Sequence, residues 1–200
     1  KSQTPYLVSS NDDLFLSWQE TNNDTLYSLK YAKLDDKKFT DAETITTGDN
    51  WFVNWADYPV IAENDGVMLA NTLQKSATGT YTYDVMLNLK SKEGNNWSEA
   101  FKLHQDTTQS EHGFVSMIPF QDKFFVTWLD GRNTVNVSTE ERAMNLRGAF
   151  VDAEGKITGD TLLDDKICDC CQTTAAMTSK GPVVIYRDRS DSEVRDMSIV

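Results

Sequence analysis

Three cysteines lie within four residues of one another, at Cys168, Cys170 and Cys171. If this segment is a β-strand, alternate side chains point to the same side, so Cys168 and Cys170 share one face and Cys171 lies on the other. A Cys-x-Cys pair on one face can chelate a soft ion such as Cu(I) or Zn(II), and His112 is a candidate nitrogen ligand. A Cys170–Cys171 disulfide, or a disulfide to a cysteine beyond Val200, fits the odd number of cysteines equally well. The segment therefore predicts either a metal site or a redox or structural disulfide.

Asp57, Glu111 and Asp130 are the candidate catalytic acid–base residues, because each lies near the start or the end of a strand-like run. Glycoside hydrolysis needs a pair of acidic groups at a defined separation. The spacing of these residues along the chain does not give that separation. All three carboxylates are therefore retained as candidates, and whether the protein is an enzyme stays open at this point.

All six arginines lie between Arg132 and Arg195, whereas the first 131 residues carry lysine but no arginine. A guanidinium is planar and binds a carboxylate through two hydrogen bonds, which a lysine cannot do. The sequence Glu111-His-Gly113 adds a carboxylate–imidazole couple beside a residue that lets a ligand approach. The candidate ligand-binding residues are His112, Arg132, Arg147, Arg187 and Asp188. The alternative is that most of these arginines pair with neighbouring aspartates across strands.

The elements that would position these residues repeat at a period of just over fifty residues. Apolar strands end at Trp18, Asn71, Trp128 and Tyr186, and a further alternating run follows each of them. Several short strands per unit at such a period are typical of propeller blades. Strand alternation is clear at residues 14–18, 26–34, 66–71, 81–89, 123–129, 145–151 and 182–187. The sequence predicts an all-β propeller of about three and a half blades, at residues 1–50, 51–108, 109–165 and 166–200.

Charge and hydropathy exclude some classes of partner. The formal net charge is −12, which argues against nucleic acid or an anionic membrane as a partner. No run of eighteen apolar residues is present, so the sequence predicts no membrane span. We expect a small ligand, or a second chain or further blades that complete the propeller.

One loop resembles the Asp-box of sialidase-type propellers, which has the pattern Ser-x-Asp-x-Gly-x-Thr-Trp. Gly94 and Trp97 match this pattern, whereas Lys90, Lys92 and Asn96 replace the Ser, Asp and Thr. The Gly suits a tight turn and the Trp fills the gap between sheet layers, so the box supports folding and has no catalytic role. The partial match favours the propeller fold.

Longer motifs extend the resemblance over most of the chain. The stretches Glu111-His-Gly-Phe114, Trp128-Leu-Asp-Gly-Arg132, Cys168-Asp-Cys-Cys171 and Tyr186-Arg-Asp-Arg-Ser190 are similar to those of exported bacterial exo-α-sialidase-like proteins with BNR repeats. The resemblance implies a six-bladed propeller about twice this length, located in the periplasm or outside the cell. One departure is clear, because Thr4-Pro-Tyr-Leu7 stands where sialidases carry the first arginine of their carboxylate clamp.

Two functions follow from this resemblance and from the residues. In the first, the central channel binds an acidic glycan or other small anionic ligand and possesses the groups to hydrolyse it, with arginines as carboxylate clamps. In the second, the propeller is not catalytic, and its cysteine cluster holds a soft metal, Cu or Zn, or a redox disulfide. Both predictions place the ligand at the channel.

Overall fold

The structure is a computed structural model that describes residues 1–22, 25–139 and 141–200. These residues form four antiparallel sheets, and the helical part is a single 3-10 turn at Arg132–Thr134. Within the described ranges there is no helix with the length and hydropathy that a membrane crossing requires.

The first two sheets each have four main strands. The first sheet contains β1 (Ser2–Ser10), β2 (Asp13–Asn22), β3 (Leu26–Asp35) and β5 (Glu43–Gly48), with the short β4 (Lys38–Phe39) also paired to β3. The second sheet contains β6 (Ile61–Asn64), β7 (Val67–Lys75), β8 (Tyr83–Lys90) and β9 (Phe101–Lys102), in that order. Neighbouring strands in each sheet follow one another along the chain, which is the up-and-down order of a propeller blade.

The last two sheets continue this order. The third contains β10 (His112–Phe120), β11 (Lys123–Asp130), β12 (Met144–Val151) and β13 (Ile157–Ile167). The fourth has three strands, β14 (Thr174–Thr178), β15 (Gly181–Arg187) and β16 (Met197–Ile199). The first strands of successive sheets contact each other, β1 with β6, β6 with β10 and β10 with β14. The four sheets are therefore blades of a β-propeller, and β1, β6, β10 and β14 are its innermost strands.

The core lies between the faces of successive blades. Trp128, Leu87 and Val126 belong to a fully buried cluster between the second and third blades. Trp97, from the loop that resembles an Asp-box, packs edge-on against Tyr31 of the first blade at 5.7 Å between ring centroids. Because the second and third blades each lie between two neighbours, the loops that precede their innermost strands β6 and β10 are held in fixed positions.

The alternating runs of the sequence confirm the strand prediction. Each of the seven predicted runs falls on a strand, namely β2, β3, β7, β8, β11, β12 and β15. The prediction for the cysteines was wrong, because the fourth innermost strand begins at Thr174 and not at Cys168. Cys168–Cys171 instead forms a turn between β13 and β14, where the alternation of an extended strand does not apply.

Candidate functional site

Two loops and the start of one strand bring three ionisable side chains together. Asp57 lies in the loop before β6, Glu111 immediately precedes β10, and Tyr83 is the first residue of β8. The main chains of Tyr83 and Glu111 are linked by a parallel β-bridge, and the Tyr83 N–H donates to the Ser110 carbonyl at 3.2 Å. The second and third blades therefore jointly position the group at the start of their innermost strands.

The Tyr83 hydroxyl lies between the two carboxyl groups. It is 2.8 Å from Asp57 Oδ2 and 2.7 Å from Glu111 Oε1. A phenol has one proton to donate, and an ionised carboxylate only accepts. One of the two carboxyl groups must therefore be protonated and donate to the Tyr83 oxygen, while Tyr83 donates to the other. We call Asp57, Tyr83 and Glu111 the proton-sharing row.

A β-bulge in β10 gives Asp57 its remaining partner. The pairing of β10 with β11 shifts register between Gly113 and Ser116, and Phe114 has a φ of 52°. This left-handed conformation costs a non-glycine residue about 1 kcal/mol or more. It directs the Phe114 N–H to Asp57 Oδ1 at 2.7 Å. A Cβ at position 113 would clash with Asp57 Oδ2, so the close approach of the carboxylate requires glycine there.

Burial changes the acidity of all three groups. Asp57 is 2% exposed, and this burial raises the pKa of its carboxyl to about 7. Burial, with a smaller contribution from the Asp169 charge, raises the pKa of Glu111 to about 6. Burial and the two carboxylates raise the pKa of Tyr83, which stays protonated. Near neutral pH the row therefore holds a proton on a carboxyl group, and the two carboxyls titrate as a coupled pair.

Asp57→Asn is expected to raise stability at alkaline pH. The folded Asp57 carboxyl keeps a proton up to about pH 7, whereas an unfolded one ionises near 3.8, so the wild-type protein loses stability as pH rises between these values. An Asn carries no such penalty, and its amide can donate to Tyr83 while its oxygen accepts from Phe114. We expect a gain of about 2–4 kcal/mol in the free energy of unfolding at pH 8 and almost none at pH 4.

Urea denaturation of the variant and the wild-type protein at the two pH values measures this difference. Asp122→Asn, in the exposed turn between β10 and β11, is the control and should change neither value. A variant as stable as the wild-type protein at pH 8 would show that Asp57 is ionised at little cost.

The row borders a cavity of about 490 Å³. Trp55 and Tyr81 line the cavity and are 86% and 60% exposed. Asp57, Glu111 and Asp169 are the charged residues that line it within the described part of the chain, and Cys170 lies beside Asp169. The cavity thus combines exposed aromatic faces with carboxyl groups.

A second polar cluster lies buried behind Glu111. The His112 Nε2 is 2.9 Å from Asp106 Oδ2 and 3.8 Å from Asp130 Oδ1. Asp130 is fully buried and accepts two hydrogen bonds from the Arg132 guanidinium, both at 2.7 Å, and one from the Trp128 indole at 2.9 Å. Burial raises the pKa of Asp130, but these hydrogen bonds outweigh that effect and lower the pKa to about 2.

Two histidines of this cluster offer nitrogen atoms to a metal, but their geometry does not fit one. Asp84 Oδ1 is 3.5 Å from both His104 Nε2 and His112 Nδ1. The imidazole rings are stacked with centroids 3.9 Å apart and an interplanar angle of 16°. The lone pairs of an imidazole lie in its ring plane, so two nearly parallel rings cannot direct them at one ion. Burial lowers the pKa of His104 to about 3, so His104 is neutral.

The arginines predicted to bind an anion have protein partners. Arg132 binds Asp130, and Arg147 binds Asp160 at 2.7 Å. Arg187 is exposed at the end of β15, with its Nη1 3.6 Å from Cys171 Sγ. Asp188 forms a backbone bridge with Ile167, and its Oδ1 accepts from the Arg189 N–H at 2.6 Å. None of these residues lines the cavity beside Glu111.

The three cysteines are close together and His112 is not among them. Cys168 Sγ is 2.9 Å from Cys171 Sγ and 3.9 Å from Cys170 Sγ. Cys171, predicted to point away, belongs to the cluster because the segment is a turn. Burial raises the pKa of the Cys168 thiol, but hydrogen bonds from Cys171 and from the Cys170 N–H outweigh that effect and lower the pKa.

Sequence reasoning found Asp57 and Glu111 but missed Tyr83, Trp55 and Asp169. Trp55 lies two residues before Asp57, so an aromatic residue beside a candidate carboxylate was an available signal. Tyr83 offered no signal, since it contacts Asp57 and Glu111 across 26 and 28 residues of chain.

Solved arabinanases have a similar fold. An α-L-arabinanase of Penicillium chrysogenum, complexed with arabinobiose, matches with a TM-score of 0.62 and 13% identity, over 94% of this chain and 59% of that one. The native arabinanase of Bacillus subtilis matches with a TM-score of 0.52 and 10% identity, over 100% and 72% of the two chains. An exo-1,5-α-L-arabinanase from a bovine ruminal metagenomic library matches with a TM-score of 0.51 and 11% identity, over 99% and 73%.

These likenesses confirm the fold class. The chain has a β-propeller fold similar to that of these arabinanases, and it spans about three fifths of the length of the Penicillium enzyme. No protein-family model and no curated protein matches the sequence. At such identities the likeness shows the fold alone, and the assignment to the exported sialidase-like family stays a prediction.

Proposed function

We propose that the cavity beside Glu111 binds a neutral glycan and that the protein hydrolyses a glycosidic bond there. The observation that carries this proposal is the proton-sharing row, which opens onto a cavity with exposed aromatic side chains. Such an arrangement supplies both a proton donor and apolar faces for sugar rings. The fold similarity to arabinanases supports the same class of ligand.

The lining of the cavity favours a neutral ligand over an acidic one. Its charged residues, among those described, are all carboxylates, and they would repel the carboxylate of a sialic acid. Arg132 and Arg147 are already paired with aspartates. Trp55 and Tyr81 instead present rings on which the C–H face of a sugar can stack.

In the proposed reaction Glu111 is the general acid, and it acts in the form of the row in which both carboxyls are protonated. Asp57 then donates to the Tyr83 oxygen, Tyr83 donates to Glu111 Oε1, and the proton on the other Glu111 oxygen is free for the substrate. Glu111 donates this proton to the glycosidic oxygen as the bond to the anomeric carbon breaks, and a water molecule attacks that carbon after giving a proton to Asp169. Tyr83 then donates its proton to Glu111 while it receives one from Asp57. The buried Asp57 thus restores the acid without contact with the substrate, and exchange with solvent returns both carboxyls to their starting states.

Binding and turnover on a panel of glycans test the proposal. The panel contains 1,5-α-arabino-oligosaccharides, other neutral oligosaccharides and fluorogenic sialosides, with binding measured by calorimetry and products by chromatography. We expect binding and hydrolysis of a neutral member. Turnover of sialosides would favour the sialidase-like alternative, and no binding to any member would overturn the glycan proposal.

Trp55→Ala is expected to weaken glycan binding. Loss of one stacked aromatic ring costs about 1 kcal/mol, or roughly five-fold in affinity. Trp55 is almost fully exposed, so the free energy of unfolding should be unchanged. Phe39→Ala, which removes a half-exposed ring from β4 of the first blade, is the control, and calorimetric titration should show wild-type affinity. Equal affinities in the two variants would remove Trp55 from the binding site.

We also propose that the protein is exported to the periplasm or the cell exterior. This proposal rests on the resemblance of the motifs to those of exported sialidase-like proteins. Fractionation of the native cells tests it.

A further inference from the structure

We propose that Cys168, Cys170 and Cys171 bind one Cu(I) ion as three thiolate ligands. The three Sγ atoms lie within 4.8 Å of one another. Two sulfurs that bind one ion at about 2.3 Å each can be no more than about 4.6 Å apart. Three sulfurs around one ion at that distance lie about 4.0 Å apart. The 3.9 Å separation of Cys168 and Cys170 matches this value, whereas Cys171, at 2.9 Å from Cys168, must move outward by about 1 Å when the ion binds. This site is separate from the proton-sharing row, and the proposal does not depend on glycan chemistry.

The backbone holds the cysteine turn against the fourth blade. The Cys168 N–H donates to the Arg187 carbonyl at 2.9 Å, and Ile167 bridges to Asp188. Cys168 is 1% exposed, whereas Cys170 is exposed to solvent. One ligand is therefore fixed in the protein interior and another faces the solvent, which gives an ion a route of entry.

The number of donors selects the ion. Thiolates are soft ligands and prefer Cu(I), Zn(II) or iron–sulfur clusters. A structural zinc site is tetrahedral and needs a fourth ligand. Among the described residues no histidine or carboxylate joins the three sulfurs within bonding distance of a common ion, and His112 is bound to Asp106 instead. Three sulfurs without a fourth donor suit a three-coordinate monovalent ion.

Two arginines offset the charge that three thiolates would carry. Arg187 Nη1 is 3.6 Å from Cys171 Sγ, and Arg195 Nη1 is 3.9 Å from Cys168 Sγ. Arg195 is also 3.8 Å from the exposed Asp169 carboxylate. Arg187 therefore offsets thiolate charge, Arg195 divides between Cys168 and Asp169, and a bound cation offsets the remainder. This accounts for the position of Arg187 beside the cysteine turn.

Competition for Cu(I) under anaerobic, reducing conditions tests the proposal. The protein is titrated into the Cu(I) complex of a chromophoric chelator, and X-ray absorption of the loaded protein identifies the ligand atoms. We expect one Cu(I) per chain, bound through three sulfurs. Cys170→Ser replaces a ligand at an exposed position, so we expect the fold to be kept. Loss of a residue that only orients a metal ligand lowers metal affinity by up to about 100-fold, and loss of a ligand itself should lower the Cu(I) affinity by more than that. Cys168→Ser should do the same if the protein folds.

Met177→Leu is the control, because it removes an exposed soft sulfur from β14 outside the cluster and should leave the affinity unchanged. Unchanged Cu(I) affinity in Cys170→Ser would overturn the proposal. So would intact-protein mass spectra showing that a Cys168–Cys171 disulfide persists under the reducing conditions used. Binding of Zn(II) in preference to Cu(I), with a nitrogen or oxygen in the first shell, would also contradict a three-sulfur site.

Discussion

Replacing Glu111 with glutamine is expected to lower the turnover of a neutral glycoside by about 100- to 10,000-fold, the usual contribution of a general acid. Glutamine keeps an oxygen that accepts from Tyr83, so the fold and the glycan affinity should be preserved. It has no proton to donate to the glycosidic oxygen. Initial rates at saturating substrate measure the loss, and binding of an unreactive oligosaccharide shows that the cavity is intact.

The pH dependence supplies a second test of the same role. Glu111 acts as an acid only while it is protonated, and burial raises the pKa of its carboxyl to about 6. Wild-type turnover should therefore fall as pH rises through about 6. Glu99→Gln, at an exposed position before β9, is the control and should show wild-type rates. Full activity in Glu111→Gln would remove Glu111 from the reaction.

Arg132→Ala is expected to destabilise the protein by about 3–5 kcal/mol at pH 7, because it leaves the buried charge of Asp130 without its partner. The Trp128 indole remains as a donor, but no cation replaces the two bonds from the guanidinium. The pKa of Asp130 lies near 2 in the folded protein, below the ordinary value of 3.8. The ion pair therefore contributes fully above about pH 4 and is lost as pH falls toward 2.

Urea denaturation at pH 7 and pH 3 measures the difference between the variant and the wild-type protein, which should be smaller at pH 3. Arg147→Ala is the matched control. It breaks a similar arginine–aspartate bond between outer strands of the same blade, where Asp160 is a third exposed, and it should cost less than about 1 kcal/mol. Equal losses in the free energy of unfolding of the two variants would show that the burial of Asp130 does not increase the contribution of its ion pair to stability.

Much of the fold is visible in the sequence because it depends on local alternation. The run that became β2 alternates buried and half-buried residues, whereas the run that became β11 is almost continuously apolar and buried. Both occupy the same position in the repeat. Alternation does not show where a strand begins if the turn before it is also rich in small or sulfur-containing residues. For that reason Cys168 was placed on β14, six residues before the strand starts.

The site is less visible because it depends on contacts between blades. Asp57 and Glu111 were identified as candidates because both precede innermost strands, and that position brings them together. Their link through Tyr83 depends on the packing of the second blade against the third, which no local pattern records. Asp130 was predicted to be catalytic and Arg132 to bind a ligand, because charge is visible in a sequence, whereas the burial of their ion pair is not.

The single phenolic proton of Tyr83 has a consequence for how the cavity recognises a sugar hydroxyl. The row has two tautomers of equal charge, with the carboxyl proton on Asp57 or on Glu111, and the direction of both hydrogen bonds reverses between them. In the second tautomer the Glu111 proton is donated to Tyr83, so the other Glu111 oxygen presents an acceptor to the cavity in both tautomers. That oxygen becomes a donor only when both carboxyls are protonated. Because the pKa values of the two carboxyls are about 7 and about 6, the tautomers differ by little free energy. Protonation of the second carboxyl, without movement of a heavy atom, changes the cavity side of Glu111 from an acceptor to a donor, so the row presents different polarity to a sugar hydroxyl at different pH.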